Sequence, residues 1–298
     1  MTDQPSRRLK RSELSVEDRI GIAARLQLDA LDLVRQANSG SEGMVFHGGT
    51  SIAFSQGSPR WSEDLDFMAT PDAVTRIFSR AGSIGTMLQL KSSVADPGAT
   101  VELTRKKGGD GVMGEVAKLN IRWEHPQVIG AVKIKVEFYT CPQTALENYT
   151  ARAIAPRWLG NGPAGKVATA IPESVWADKI VALALRPALK YRDIHDLGYI
   201  SPKLIRDFDR TSFLQASMGI YGKSAEDIAS GLERPEVVDH IAEKDAYMAD
   251  MERWFSPDLF AYLKDYGRLD DQHAMFMREY ERARRDVNAL ISGPDFCC

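Results

Sequence analysis

Apolar residues recur at helical spacing from Ile20 through Ala23, Leu26, Leu28, Leu31, Leu33 and Val34, which predicts an amphipathic helix to about Ala37. Ser15 opens it with Asp18 three residues on, the spacing of a capping box. Asn38-Ser39-Gly40-Ser41 ends it. The first dozen residues are polar and basic and read as a frayed arm. Met44-Val45-Phe46 reads as a short strand running into His47-Gly48-Gly49-Thr50-Ser51, with a short helix following through Ala53 and Phe54. Gln56-Gly57-Ser58-Pro59 is a turn, and Trp61 to Met68 reads as the next strand. Thr70-Pro71 then caps a helix to about Ala81, with proline in the favoured first turn.

From residue 99 the period changes from helical to alternating. Leu119, Ile121 and Trp123 fall on one face and Lys118, Asn120 and Arg122 on the other; Val132, Ile134 and Val136 likewise oppose Lys133, Lys135 and Glu137. That pattern predicts antiparallel sheet over 99–139, turning at Gly108-Gly109-Asp110-Gly111 and near Gly130. After about Gly165 the pattern is helical almost throughout. Pro172-Glu173 opens a helix that Arg186-Pro187 ends. Others are predicted over Tyr191–Ile200, 202–217, 224–232, 235–253, 257–266 and 270–291. The expected organisation is an α/β (α+β) domain, a mixed sheet flanked by helices, over 1–170, and a mainly helical domain over 171–298.

Composition narrows the chemistry. With 298 residues, 44% hydrophobic and 27% charged, the chain is that of an ordinary globular protein with room for a core. No apolar run reaches a bilayer span, and Met1-Thr2-Asp3-Gln4 does not resemble a signal peptide. A cytoplasmic protein with no membrane partner is therefore expected. Cys141, Cys297 and Cys298 cannot build a disulfide framework. The five histidines lack the spacing of a zinc site, so any metal should be a hard one held by carboxylates. A net charge of −3 gives no global attraction to nucleic acid but leaves room for local patches. Arg105-Lys106-Lys107 with Lys118, Arg122, Lys133 and Lys135 could hold an RNA backbone or be a solvated sheet face. Trp254 and Phe255 read as core, and the arginines of 278–285 as a soluble helix surface.

Asp64 and Asp66 stand two apart on a predicted strand, so both point to one face about 7 Å apart. Such a pair can converge on Mg²⁺, which prefers oxygen ligands and keeps water and substrate phosphates in its shell; it can also be a solvated acidic strand end. Thirteen residues upstream of Asp64, Gly48-Gly49-Thr50-Ser51 marks a strand-to-helix junction. Glycines there let a phosphate approach free backbone N–H groups, though an ordinary tight turn has the same look. Arg60 could clamp phosphate or form a surface ion pair. Lys179 lies in a nearly all-apolar helical run, Glu173 to Leu183. If buried, it needs a carboxylate or a phosphate; the alternative is snorkelling to solvent. Asp193 reads by itself as a helix cap or a partner of Arg192, and Glu137 as a cross-strand partner of a lysine or arginine.

The run Gly48-Gly49-Thr50-Ser51 followed by Arg60-Trp61-Ser62-Glu63-Asp64-Leu65-Asp66-Phe67 resembles the first motif of the AbiEii-type (MenT-like) toxins of bacterial toxin–antitoxin systems, in the nucleotidyltransferase superfamily. Val132 to Phe138 is similar to the second motif, with Glu137 where many members have aspartate. Glu173 to Leu183 looks like the third, a helix carrying Lys179. Lys190-Tyr191-Arg192-Asp193-Ile194-His195-Asp196-Leu197 is close to the fourth, Arg-Asp-Leu-x-Asp-Leu. The four motifs span Gly48 to Leu197; the helical tail carries none.

The resemblance implies a nucleotidyltransferase fold with Mg²⁺, or Mn²⁺, on Asp64 and Asp66 and with Glu137 as a third ligand. It implies NTP phosphates at Gly48, Gly49, Thr50, Ser51, Arg60 and Lys179. Asp193 would position Lys179 or the acceptor, and Asp196 would be structural. The implied reaction moves a nucleoside monophosphate to an acceptor, the tRNA 3′ end in related toxins, which blocks translation. The implied partner is a separately encoded antitoxin, often a DNA-binding one. In some relatives the serine matching Ser62 is phosphorylated to silence the toxin. A small-molecule acceptor such as an aminoglycoside, and a nucleotide-binding regulator without catalysis, remain open alternatives.

Overall fold

The computed structural model describes residues 11–106, 112–158 and 165–292. The predicted N-terminal arm to Lys10, Lys107, the turn at Gly108–Gly111 and the terminal Cys297 and Cys298 lie outside them. Helix α1 spans Val16–Ala37, and the Ser15 hydroxyl accepts the backbone N–H of Asp18 at 3.0 Å, as the capping spacing predicts.

The centre of the molecule is a seven-stranded mixed sheet in the order β4-β5-β7-β3-β2-β9-β8. Strand β2 (Met44–His47) runs antiparallel to β3 (Asp64–Ala69), which runs parallel to β7 (Val132–Thr140). On the far side of β7, β5 (Val116–Glu124) and β4 (Thr100–Arg105) continue as the expected antiparallel meander. On the other flank stand β9 (Val167–Ala170) and β8 (Ala151–Ile154). A two-residue parallel pair, β1 (Ser12–Glu13) with β6 (Val128–Ile129), pins the start of α1.

Alternation divides the sheet's side chains between two cores. Met44, Phe46, Leu65, Phe67 and Phe138 join α1, α3 (Pro71–Ser79) and α4 (Ala81–Ala95) in the first. Val45 and Met68 point the other way and pack with α2 (Gly48–Gln56), α5 (Gln143–Glu147) and the C-terminal helices in the second. Asp64, Asp66 and Glu137 share that second face, and there it opens into a cleft.

The helical region comprises α6 (Pro172–Leu185), α7 (Tyr191–Ile200), α8 (Arg210–Tyr221), α9 (Ala225–Leu232), α10 (Pro235–Ala242), α11 (Lys244–Met251), α12 (Pro257–Asp265) and α13 (Arg268–Ser292). The sequence division at 170 falls between β9 and α6.

Several boundaries differ from the sequence expectation. The strand expected from Trp61 begins only at Asp64, because Trp61 turns away to pack on Trp254, ring centroids 5.7 Å apart. The helix expected to end at Ala81 stops at Ser79, and α4 follows at once. The helix expected over 202–217 is a 3-10 turn, Ser201–Lys203, and then α8 capped by Asp209. The one expected over 235–253 breaks at Glu243 into α10 and α11. Phe255 is core as expected, whereas Trp254 is only partly buried and lines a groove.

Candidate active site

Strand β2 delivers the chain to Gly48, whose φ of +78° turns it directly into α2. A Cβ at Gly48 would collide with the Asp66 carboxylate, and one at Gly49 would lie 2.6 Å from Arg60 Nη2 and 3.0 Å from Ser62 Oγ. Only glycine gives both the left-handed turn and this approach. His47, the residue before α2, makes no side-chain cap, so the first N–H groups of the helix lack that partner. The hydroxyls of Thr50 and Ser51 are already committed. Thr50 donates to the Asp64 carbonyl and Ser51 to the Gly48 carbonyl at 2.8 Å, and both side chains are buried. Thr50 fastens α2 to β3 and Ser51 ties back within α2, which leaves backbone N–H groups as the donors a phosphate would meet.

The cleft, of about 280 Å³, is lined by Gly48, Gly49, Arg60, Ser62, Asp64, Asp66, Glu137, Lys179 and Asp193. Residues from β2, α2, β3, β7, α6 and α7 thus share one cavity. In the sheet register Asp66 stands opposite Glu137, and Glu137 opposite Lys118. Burial raises the Asp66 pKa, and the nearby Asp64 and Glu137 add to that, opposed by His47 and Lys179. Lys118 holds Glu137 at 2.7 Å, while Lys135 stands 3.5 Å from Asp64.

The acidic face suits a hard cation, since its donors are carboxylate oxygens and the half-buried Asp66 faces two further carboxylates. Among the described residues no three His, Cys, Asp or Glu side chains form a cage. An ion on Asp64 and Asp66 would therefore complete its shell with water and substrate oxygens, as Mg²⁺ ordinarily does. Lys118 takes one oxygen of Glu137, the cross-strand pairing its sequence context allowed, and the other carboxylate oxygen is left for an ion.

Lys179 is buried and faces two carboxylates, Asp193 Oδ1 at 2.6 Å and Asp196 Oδ2 at 2.7 Å. Arg186 donates to the other oxygen of Asp193. Arg60 is only 1% exposed and grips Asp196 with Nε and Nη2, at 2.8 and 2.9 Å. It therefore forms neither a surface ion pair nor an open phosphate clamp; the guanidinium lies beneath Gly49, spent on Asp196. Burial alone would raise the Asp196 pKa, but Arg60 and Lys179 outweigh it and hold the carboxyl well below its ordinary range. Asp193 is lowered against burial in the same way, by Lys179 and Arg186.

Sequence reasoning missed several groups. His47 Nδ1 lies 3.5 Å from Asp178, which also accepts the Tyr149 hydroxyl at 2.5 Å and the Ser217 hydroxyl at 2.8 Å. The only available signal was position, His47 before the glycines and Asp178 before Lys179. Tyr139 and Tyr221, rings 5.0 Å apart, line the cleft together although 82 residues separate them along the chain. The basic sheet face proves mixed: Arg122 pairs with Glu124 and Lys118 with Glu137, and Arg105 stacks on Phe78. Among the described residues no helix is long and apolar enough to cross a membrane.

A family model described as nucleotidyl transferase AbiEii toxin, type IV toxin–antitoxin system, matches residues 31–293. A comparison with curated proteins finds no match. Among solved structures, JHP933 from Helicobacter pylori is similar at 16% identity, over 93% of this chain and 99% of that one, with a TM-score of 0.49. A second H. pylori structure, described as a candidate nucleotidyltransferase, is also 16% identical, over 90% of this chain and 97% of that one, with a TM-score of 0.46.

Proposed function

The chain belongs to the AbiEii family of nucleotidyl transferase toxins of type IV toxin–antitoxin systems, and from that premise we propose that it transfers a nucleoside monophosphate from an NTP to the 3′ end of tRNA in the cytoplasm, and so stops translation. The observation that carries this reading is the sharing of one cleft by the Asp64–Asp66 pair, the uncapped glycine end of α2, and Lys179 with Asp193.

In the reaction the acceptor hydroxyl gives its proton to solvent as its oxygen forms a bond to the α-phosphorus, and the bond from that phosphorus to the bridging oxygen breaks, releasing pyrophosphate. Asp64 and Asp66 would hold Mg²⁺ or Mn²⁺, with Glu137 as a third ligand. When bound, such an ion supplies positive charge to the phosphate oxygens and the leaving group. The N–H groups at Gly48, Gly49 and the first turn of α2 receive phosphate oxygens. Lys179 has three donors and spends two on Asp193 and Asp196, which leaves one for the triphosphate. Asp193 is thus the group that aims Lys179, and Arg186 holds Asp193. Arg60 and Asp196 fix Gly49 and Lys179 relative to each other. Catalysis of this kind is positioning plus electrostatics.

An antitoxin encoded as a separate chain would be the natural partner. Ser62 lines the cleft beside Gly49. Phosphorylation there would add about −1.5 to −2 charges next to Asp64 and repel a triphosphate. Equal transferase activity of modified and unmodified protein would remove that reading.

The main test incubates the protein and an Asp64→Ala variant with labelled NTPs and either total tRNA or aminoglycosides. Wild type should label tRNA and release pyrophosphate, and the variant should do neither and lose toxicity in a host cell. Labelling of aminoglycosides alone would give the acceptor class to the small-molecule reading. NTP binding without pyrophosphate release would leave only a nucleotide-binding regulator.

A further inference from the structure

The cations around the cleft fall into two sets. Arg60, Lys179 and Arg186 are each neutralised by Asp193 or Asp196. Lys190 and Arg192, which also line the cleft, have no ion-pair partner among the described residues. Burial, then the neighbouring Arg192 and Arg186, depress the Lys190 pKa, and Asp193 and Asp64 oppose them more weakly. Two neighbouring cations that form no ion pair repel each other, and an anion between them would relieve it.

Both residues also line a second cavity, a more open groove of about 640 Å³ that continues from the cleft past Glu63. Its walls carry flat rings held in place by their own hydrogen bonds. Trp254 Nε1 donates to Asp250 at 3.2 Å, with the Arg192 guanidinium 4.9 Å from the indole centroid. The Tyr191 hydroxyl donates to Glu243 at 2.8 Å, and its ring stacks on His240 at 3.8 Å. Fixed aromatic faces beside unpaired cations are the recognition chemistry of a single-stranded nucleic acid, whose bases stack while its phosphates pair with basic side chains.

We infer that the groove lined by Lys190, Arg192, Tyr191 and Trp254 binds the acceptor strand, a single-stranded polynucleotide end whose phosphodiester sits on Lys190 and Arg192 and whose base stacks on the groove's rings. The occupant's terminal hydroxyl would then lie in the cleft, so the naming of this strand as acceptor rests on the transferase reading, whereas its binding does not. A mononucleotide offers phosphate and base too. It would fill the cleft at the glycine end of α2 and leave the groove beyond it empty, which makes a chain longer than one nucleotide the better fit.

The test measures fluorescence anisotropy of full-length protein with a labelled single-stranded RNA oligonucleotide, without NTP, across a salt series. Binding by wild type should weaken with salt, and Lys190→Gln and Arg192→Gln should each reduce the magnitude of the log–log slope by about 0.7. Arg285→Gln, on the exposed side of α13, should leave it unchanged. An oligonucleotide with an abasic site next to its 3′ nucleotide should bind wild type roughly fivefold or more weakly, the lower end of base–aromatic stacking. Affinity for a non-hydrolysable NTP should stay the same in both variants. Unchanged oligonucleotide binding in the Lys190→Gln, Arg192→Gln double variant would overturn the proposal. So would a loss of NTP affinity in its place, which would give the two cations to the triphosphate. RNA transfer with an unaltered acceptor KM in the double variant would overturn the groove and leave the transferase standing. RNA binding through these residues with no transfer to any acceptor would do the reverse.

Discussion

The Asp196 carboxylate accepts three hydrogen bonds, two from Arg60 and one from Lys179, at a position with no exposure to solvent. Asp196→Asn would keep the shape and remove the charge, leaving two buried cations to share what Asp193 can spare from Arg186. Breaking a buried pair in this way costs about 3–5 kcal/mol, and urea unfolding should register a loss of that size. The Arg60→Met, Asp196→Leu double variant should lose less than the two single losses added together, since it removes opposite charges at once. A loss below about 1 kcal/mol for Asp196→Asn would mean the network carries little of the fold. At this scale the sequence shows one kind of feature and hides another. Asp64 and Asp66 are legible because a two-residue spacing on a strand fixes a shared face by itself. Arg60 is not, because its partner lies 136 residues away, and no local pattern separates a buried arginine from a surface one.

Helices that carry their own stop and start signals were readable, and those that depend on tertiary packing were not. Ser15 with Asp18 announces α1, and Thr70-Pro71 announces α3. Helix α4 buries only Ile84, Leu88 and Ser92, too narrow a stripe for periodicity to reveal. Strands β8 and β9 are four residues each and exist by pairing at the sheet's edge. Helix α8 shows how a cap missed in the sequence acts. Asp209 accepts the Ser212 N–H at 3.2 Å and the hydroxyls of Thr211 and Ser212, and these bonds bring its carboxyl down to about 2. A carboxyl lowered in the folded state favours folding when charged. The contribution is whole above the ordinary aspartate range and fades as pH falls from there through 2. Asp209→Ala should cost about 1 kcal/mol near neutral pH, as N-cap removals do. Thermal unfolding of both proteins between pH 7 and pH 3 should show the gap narrowing on the acid side. A gap that widens toward acid would contradict the cap's charge.

The cleft exists because two cores meet across one sheet, and its shape depends on how closely the C-terminal helices approach each other. The order β7-β3-β2, parallel on one side of β3 and antiparallel on the other, was not legible, because strand order is a property of contacts between distant segments. The change from alternating to helical pattern near residue 165 was legible, and it falls within a few residues of the step from β9 to α6. Two glycines set the helix approach. A Cβ at Gly198 of α7 would run into the backbone carbonyl of Gln272 in α13, and one at Gly231 of α9 into that of Ala184 in α6. Backbone cannot yield as a flexible side chain does, so each glycine-to-alanine change should cost about 1–3 kcal/mol by overpacking. Both changes should also reach the cleft. Helix α7 carries Asp193 and Asp196 on the turns before Gly198, so pushing it off α13 would displace the pair that aims Lys179. Gly231 lies on α9, which supplies no residue to the cleft, but its Cβ would press on α6, the helix that carries Lys179. Well below either melting temperature, both variants should therefore lower turnover with the fold intact. Wild-type activity of Gly198→Ala at matched folded fraction would show that the depth of α7 on α13 does not set the geometry of the cleft.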